Sequence, residues 1–102
     1  MTDPVARGLD LARARRWFEA HEAFEDAWRA EADPRRKATL RALVHACVAL
    51  EHRRRGNPVG ERLQLQKARA RAAEGAADDP LTEVARRWAE AIAAAPDAWP
   101  TP

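Results

Sequence analysis

Tyrosine is absent from this chain, cysteine occurs once, and β-branched residues are scarce among its 102 positions. The lone cysteine, Cys47, excludes an internal disulfide. Abundant Ala and Arg, set against so few β-branched residues, disfavour strands and favour helices. No apolar run approaches the ~20 residues that a membrane span needs. Met1-Thr2-Asp3-Pro4 lacks the apolar core of a secretion signal, so a cytoplasmic protein is expected. A strong charge of one sign is also missing. The formal net charge is +2, although the pI is about 9.3 because arginine supplies most of the bases. The basic runs Arg35-Arg36-Lys37 and Arg53-Arg54-Arg55 stand among interleaved acids, and read as solvated helix faces rather than a nucleic-acid surface. A Ser-His-Asp set and a glycine-rich phosphate loop are both absent, which leaves no recognisable catalytic machinery.

What is present organises the chain into about five helices in a single all-α bundle. Asp3-Pro4, Asp33-Pro34 and Asp79-Pro80 are helix starts: the aspartate caps free N–H groups, and proline fits the first helical position. Gly56 and Gly75 mark helix ends. The predicted helices run from Pro4 to Ala14, Arg16 to Glu31, Pro34 to Arg55, Val59 to Glu74 and Pro80 to Ala95. Neither Gly nor Pro separates the first two; a break near Arg15 is expected because their apolar stripes do not line up. The second, third and fifth helices should make the core. The fourth should lie outside, because Leu63 and Leu65 do not share a face. Residues 96 to 102, with three prolines, form a non-helical tail from which Trp99 could pack back.

The stretch from Trp17 to Trp28 carries the chemistry. At about 100° per residue, Phe24, Trp17, Trp28, His21, Glu25 and Phe18 fall within an arc of roughly 120°. Glu19, Glu22, Asp26 and Arg29 fall outside it. An imidazole and a carboxylate thus share an aromatic face one turn apart, a costly placement unless each finds a partner. On the third helix Glu51 lies about 20° from Leu40 on the apolar face, with His45 and His52 at its edge. Cys47 lies on that apolar face and reads as a reduced core thiol.

These residues carry a resemblance. The pattern His21-x-x-x-Glu25-x-x-Trp28, preceded by Trp17-Phe18-Glu19-Ala20, is followed by Leu40-Arg41-Ala42-Leu43-Val44 and by Ala49-Leu50-Glu51-His52-Arg53-Arg54-Arg55-Gly56-Asn57-Pro58. In order and spacing the two segments resemble the domain-of-unknown-function 309 family, over roughly residues 5 to 70. The resemblance implies an all-helical bundle and a metal-binding role for the His and Glu, with no established activity. The chain departs from the family twice. The family usually has glycine before the aromatic pair, where this chain has Arg15 or Arg16. It often has histidines before Arg-Arg-Gly, where this chain has Glu51-His52.

Three readings of the site stay open. His21 and Glu25 at i, i+4 suit one divalent ion such as zinc, with a third ligand from Glu51, His52 or Glu22. They suit better still a buried hydrogen-bonded pair that fixes helix register, completed by Glu51 or a water. Or Trp17 and Trp28 wall a small-molecule pocket in which His21 and Glu25 orient a polar ligand. The expectation is a divalent-metal or small-ligand site on His21, Glu25 and Glu51, flanked by Trp17, Trp28 and His52, with no catalytic residue assigned. The alternative is an interaction or oligomeric module whose His–Glu pair is purely structural; a homodimer suits so small a core.

Overall fold

Four helices begin as their sequences dictate. In the computed structural model, which describes residues 3–94, Asp3 accepts from the Val5 N–H and Asp33 from the Arg35 N–H, each at 3.1 Å. Asn57 accepts from the Gly60 N–H at 3.1 Å, and Asp79 from the Leu81 N–H at 2.9 Å. Each cap is worth about 1 kcal/mol, and proline follows each one. The helices are α1 (Pro4–Arg13), α2 (Trp17–Ala30), α3 (Pro34–Arg54), α4 (Pro58–Glu74) and α5 (Pro80–Ala94). There is no strand among the described residues. Helix α2 is the exception at its start: Arg16 precedes it and makes no side-chain cap. The predicted tail, its Trp99 and the last predicted helical residue, Ala95, lie outside the described residues.

The break between α1 and α2 falls at Arg15. The Arg15 N–H donates to the Ala12 carbonyl and the Arg16 N–H to the Leu11 carbonyl, both at 2.9 Å. This is the paired bonding that closes a helix through a left-handed residue, and Arg15 has φ +59°. Helix α3 ends the same way: the Gly56 N–H reaches the Arg53 carbonyl and the Asn57 N–H the His52 carbonyl, with φ +71° at Gly56. Glycine adopts that conformation freely, whereas arginine does so at a cost of about 1–2 kcal/mol.

Helix α3 is the central element, packed by α2, α4 and α5, while α1 packs on α2. Its fully buried Leu40, Leu43, Cys47 and Leu50 meet Phe24 of α2 and Trp88 and Ile92 of α5 in one cluster. The Phe24 and Trp88 rings meet edge to face, with centroids 6.0 Å apart. Helix α4 corrects its predicted place. It has the most extensive packing against α3 of any helix, through Ala68 and Ala72, which are small enough to let the backbones approach. Of the two leucines on which the outside placement rested, Leu63 is 52% exposed, whereas Leu65 is partly buried against the core.

Each basic run also proves to be divided. Arg53 is nearly buried. It grips Glu61 of α4 through both carboxylate oxygens, at 3.0 and 3.1 Å, and donates to the Ile92 carbonyl of α5 at 2.7 Å. Arg36 joins Glu31 at 3.3 Å to Asp79 at 2.8 Å, which ties the start of α3 to the start of α5. Arg54, Arg55 and Arg35 remain exposed, as a solvated face requires.

Candidate functional site

One turn of helix separates Trp17 from His21, and one turn each separates Val48, Glu51 or His52, and Arg55. The first pair points from α2 and the second set from α3, and between them lies a pocket of about 170 Å³. Four of the predicted site residues, Trp17, His21, Glu51 and His52, line it. Trp17 is buried, whereas Phe18 on the opposite rim is 51% exposed. Phe18 meets the His21 ring edge-on at 4.9 Å.

Hydrogen bonds set the two imidazoles differently. His21 Nδ1 donates to the Phe18 carbonyl, so the neutral ring carries its lone pair on Nε2. That nitrogen lies 3.4 Å from Glu25 Oε1. Two acceptors so placed repel unless the ring is protonated or a donor lies between them. On His52 the roles reverse. Nδ1 is 3.2 Å from the Asn57 amide nitrogen, whose oxygen is already taken by the Gly60 N–H. The amide therefore donates, and His52 keeps its proton on Nε2. When neutral, the two imidazoles therefore stand in opposite tautomers.

Glu51 is bound by cations rather than left available. Its Oε1 accepts from Arg54 through Nε at 2.9 Å and through Nη2, and from Arg55 Nε at 3.2 Å. The hydrogen bonds from Arg54 hold the carboxyl below the usual range, with burial opposing and the charges of Arg54 and Arg55 adding. The remaining candidates stand apart from the pocket. Glu25 touches His21 but turns its other oxygen to Arg29 at 3.0 Å. Trp28 lies seven residues beyond His21, about 10 Å along the helix. Its ring is covered by Lys37 at 5.7 Å and Arg41 at 5.2 Å.

His21 and Glu25 are two adjacent donors 3.4 Å apart, and Glu51 Oε1 is shared by the guanidinium groups of Arg54 and Arg55. No cluster of three or more His, Cys, Asp or Glu able to hold an ion occurs among the described residues. Cys47 is fully buried, and burial pushes its thiol far up, as a core thiol requires.

Beyond the pocket lies a wider mouth of about 380 Å³, which shares Trp17, Phe18, Glu51 and Arg55 with it and adds Arg15, Arg16 and Arg54. Sequence reasoning missed Phe18 and Arg55 as pocket walls, and placed the helix break near Arg15 without seeing that residue at the mouth. The signal for Arg15 was present: a helix break with neither Gly nor Pro obliges another residue to take the left-handed position.

A family model, described as domain of unknown function (DUF309), matches residues 5–63, more than half of the 102-residue chain. The match takes in α1, α2, α3 and the start of α4, and with them every residue of the pocket and its mouth. Comparison with curated proteins and with solved structures gives no match. Among the described residues, no helix is long and apolar enough to cross a membrane.

Proposed function

This chain belongs to the DUF309 family, and we propose that it is a small-ligand-binding protein whose site is the pocket between α2 and α3. The observation that carries the reading is convergence: Trp17, His21, Glu51 and His52, singled out from two separate stretches, line one pocket. Apolar walls with a few placed polar groups are what a ligand site needs. Trp17, Phe18 and Val48 supply the walls, and His21, Glu51 and His52 the polar groups. The reading is one of binding, since no Ser, Thr or Cys lines the pocket. The competing reading, a purely structural pair, is favoured by the 3.4 Å contact between His21 and Glu25 itself.

A panel of single-ring compounds, followed by the Trp17 indole N–H resonance and by thermal shift, separates the two. Binding should move the Trp17 signal and raise Tm, and His21→Ala should abolish both effects. That variant should still fold, because His21 lies at the pocket rim and its loss costs about 1 kcal/mol. If the panel leaves Trp17 unmoved while His21→Ala unfolds the protein, the structural reading wins.

A further inference from the structure

We infer that the ligand of this pocket is a single-ring molecule bearing an anionic group, carboxylate or phosphate, which the arginines of the mouth hold. The inference rests on the binding reading above and adds a ligand class to it. Size supports the ring. A dry cavity of about 150 Å³ accommodates one benzene-sized molecule, and this pocket measures about 170 Å³. Phe18, 51% exposed, offers an aromatic face for stacking, and the buried Trp17 gives the pocket an apolar floor.

Charge supports the anion. Arg15, Arg16, Arg54 and Arg55 line the mouth against only Glu19 and Glu51, a surplus of two positive charges. Arg16 is paired with Glu19. Arg54 and Arg55 share a single oxygen of Glu51, and Arg55 spends only Nε on it. The Glu51 side chain is only 13% exposed, while those of Arg54 and Arg55 are 58% and 61% exposed. A guanidinium carries five donors in a planar fork, so most of theirs face outward. Arg15 makes no ion pair among the described residues. Arg55 lines both the pocket and the mouth, so one molecule can place its ring against Trp17 and its anion against Arg55 and Arg15. The left-handed backbone at Arg15 fits the same assignment: glycine would close the helix at less cost, but would remove a cation from the mouth.

The test uses benzoate, phenyl phosphate and the neutral isostere benzamide, titrated while the Trp17 indole signal is observed at low salt. At least one anion should bind roughly tenfold more tightly than benzamide, and the tighter of the two names the group. Added salt should shrink the advantage. Arg55→Gln should lower the ratio of affinities several-fold. Arg15→Gly should do so too without loss of fold, since glycine suits that backbone. Arg29→Gln, an exposed cation on the same helix away from the mouth, should leave the ratio unchanged. If benzamide binds as tightly as both anions, the charge inference falls and the pocket reading stands. If none of the three moves Trp17, the pocket reading falls, and this inference falls with it.

Discussion

The junction of α3 with α5 and the end where α2 faces the tail of α3 are built from the same central helix, yet one is closed and the other open. At the closed junction the buried hydroxyl groups match. Thr39 and Thr82 are buried and hydrogen-bonded to each other at 2.9 Å, and Thr39 also donates to the Arg35 carbonyl at 3.3 Å. Gly75 packs over them with no room for a side chain. At the open end Phe18 and His21 on α2 face His52 and Arg55 on α3. These side chains are bulky, three of them with polar tips, and cannot interdigitate as Ala and Leu do. The difference teaches that the pocket is not a defect in packing. It lies where both helices present bulky residues that seek partners of their own.

The largest test of that contrast is Trp88→Ala. It empties the core beside Phe24 and should cost about 3–5 kcal/mol, a large share of the ~5–10 kcal/mol available to such a domain. Urea melts would show it; a cost near zero would mean that the α5 side is as loose as the pocket. Next is Gly75→Ala. The new methyl would lie 2.9 Å from Thr82 Oγ1 and nearer still to Thr39 Oγ1, so about 1–3 kcal/mol should be lost. Combining it with Thr39→Ala should cost less than the two single changes summed, because the clash is removed.

A third pair of changes compares the two left-handed helix ends. Arg15→Gly should stabilise the protein by about 1 kcal/mol, whereas Gly56→Ala should destabilise it by a similar amount. Chemical denaturation of both variants measures this directly, and equal effects of the same sign would contradict the strain assigned to Arg15. The smallest effect separates His45 from the pocket histidines. His45 is half-buried and donates to Gln64 Oε1 at 2.8 Å. Burial lowers its pKa, the Gln64 bond opposes, and Arg41, Lys67 and Arg71 lower it further. A histidine whose pKa is depressed by folding contributes stability above its unfolded value near 6.5, and that stability is lost as pH falls through the folded value. Melts from pH 7.5 to 5 should therefore show a decline on the acid side that His45→Gln removes; an unchanged slope would assign the decline to another group.

Local patterns were legible because they act over a few residues. Each Asp-Pro start is a cap that the structure retains, and Gly56 stops α3 where a stop was predicted. The Leu40, Leu43, Cys47 and Leu50 stripe is core because a 3.6-residue period places it on one face. Helix α4 was misplaced because its buried residues are alanines, which weigh little in an apolar pattern yet permit the closest approach. Arg53 was misread because composition treats the three arginines of its run alike, while position along the helix turns one of them inward onto Glu61.

By itself the sequence determined the five helices, their starts, the aromatic face of α2 and the family, since all of these follow from short-range periodicity, capping and ordered motif spacing. Only the tertiary structure decided which of the polar residues on that face meet. Glu51 Oε1 proves to be shared by Arg54 and Arg55, and the Trp28 ring lies against Lys37 and Arg41. The rotation of α2 against α3 brings Trp17 and His21 to His52 and Arg55. That rotation is set by how two whole helices pack around Phe24 and Trp88, which no pattern within one helix encodes.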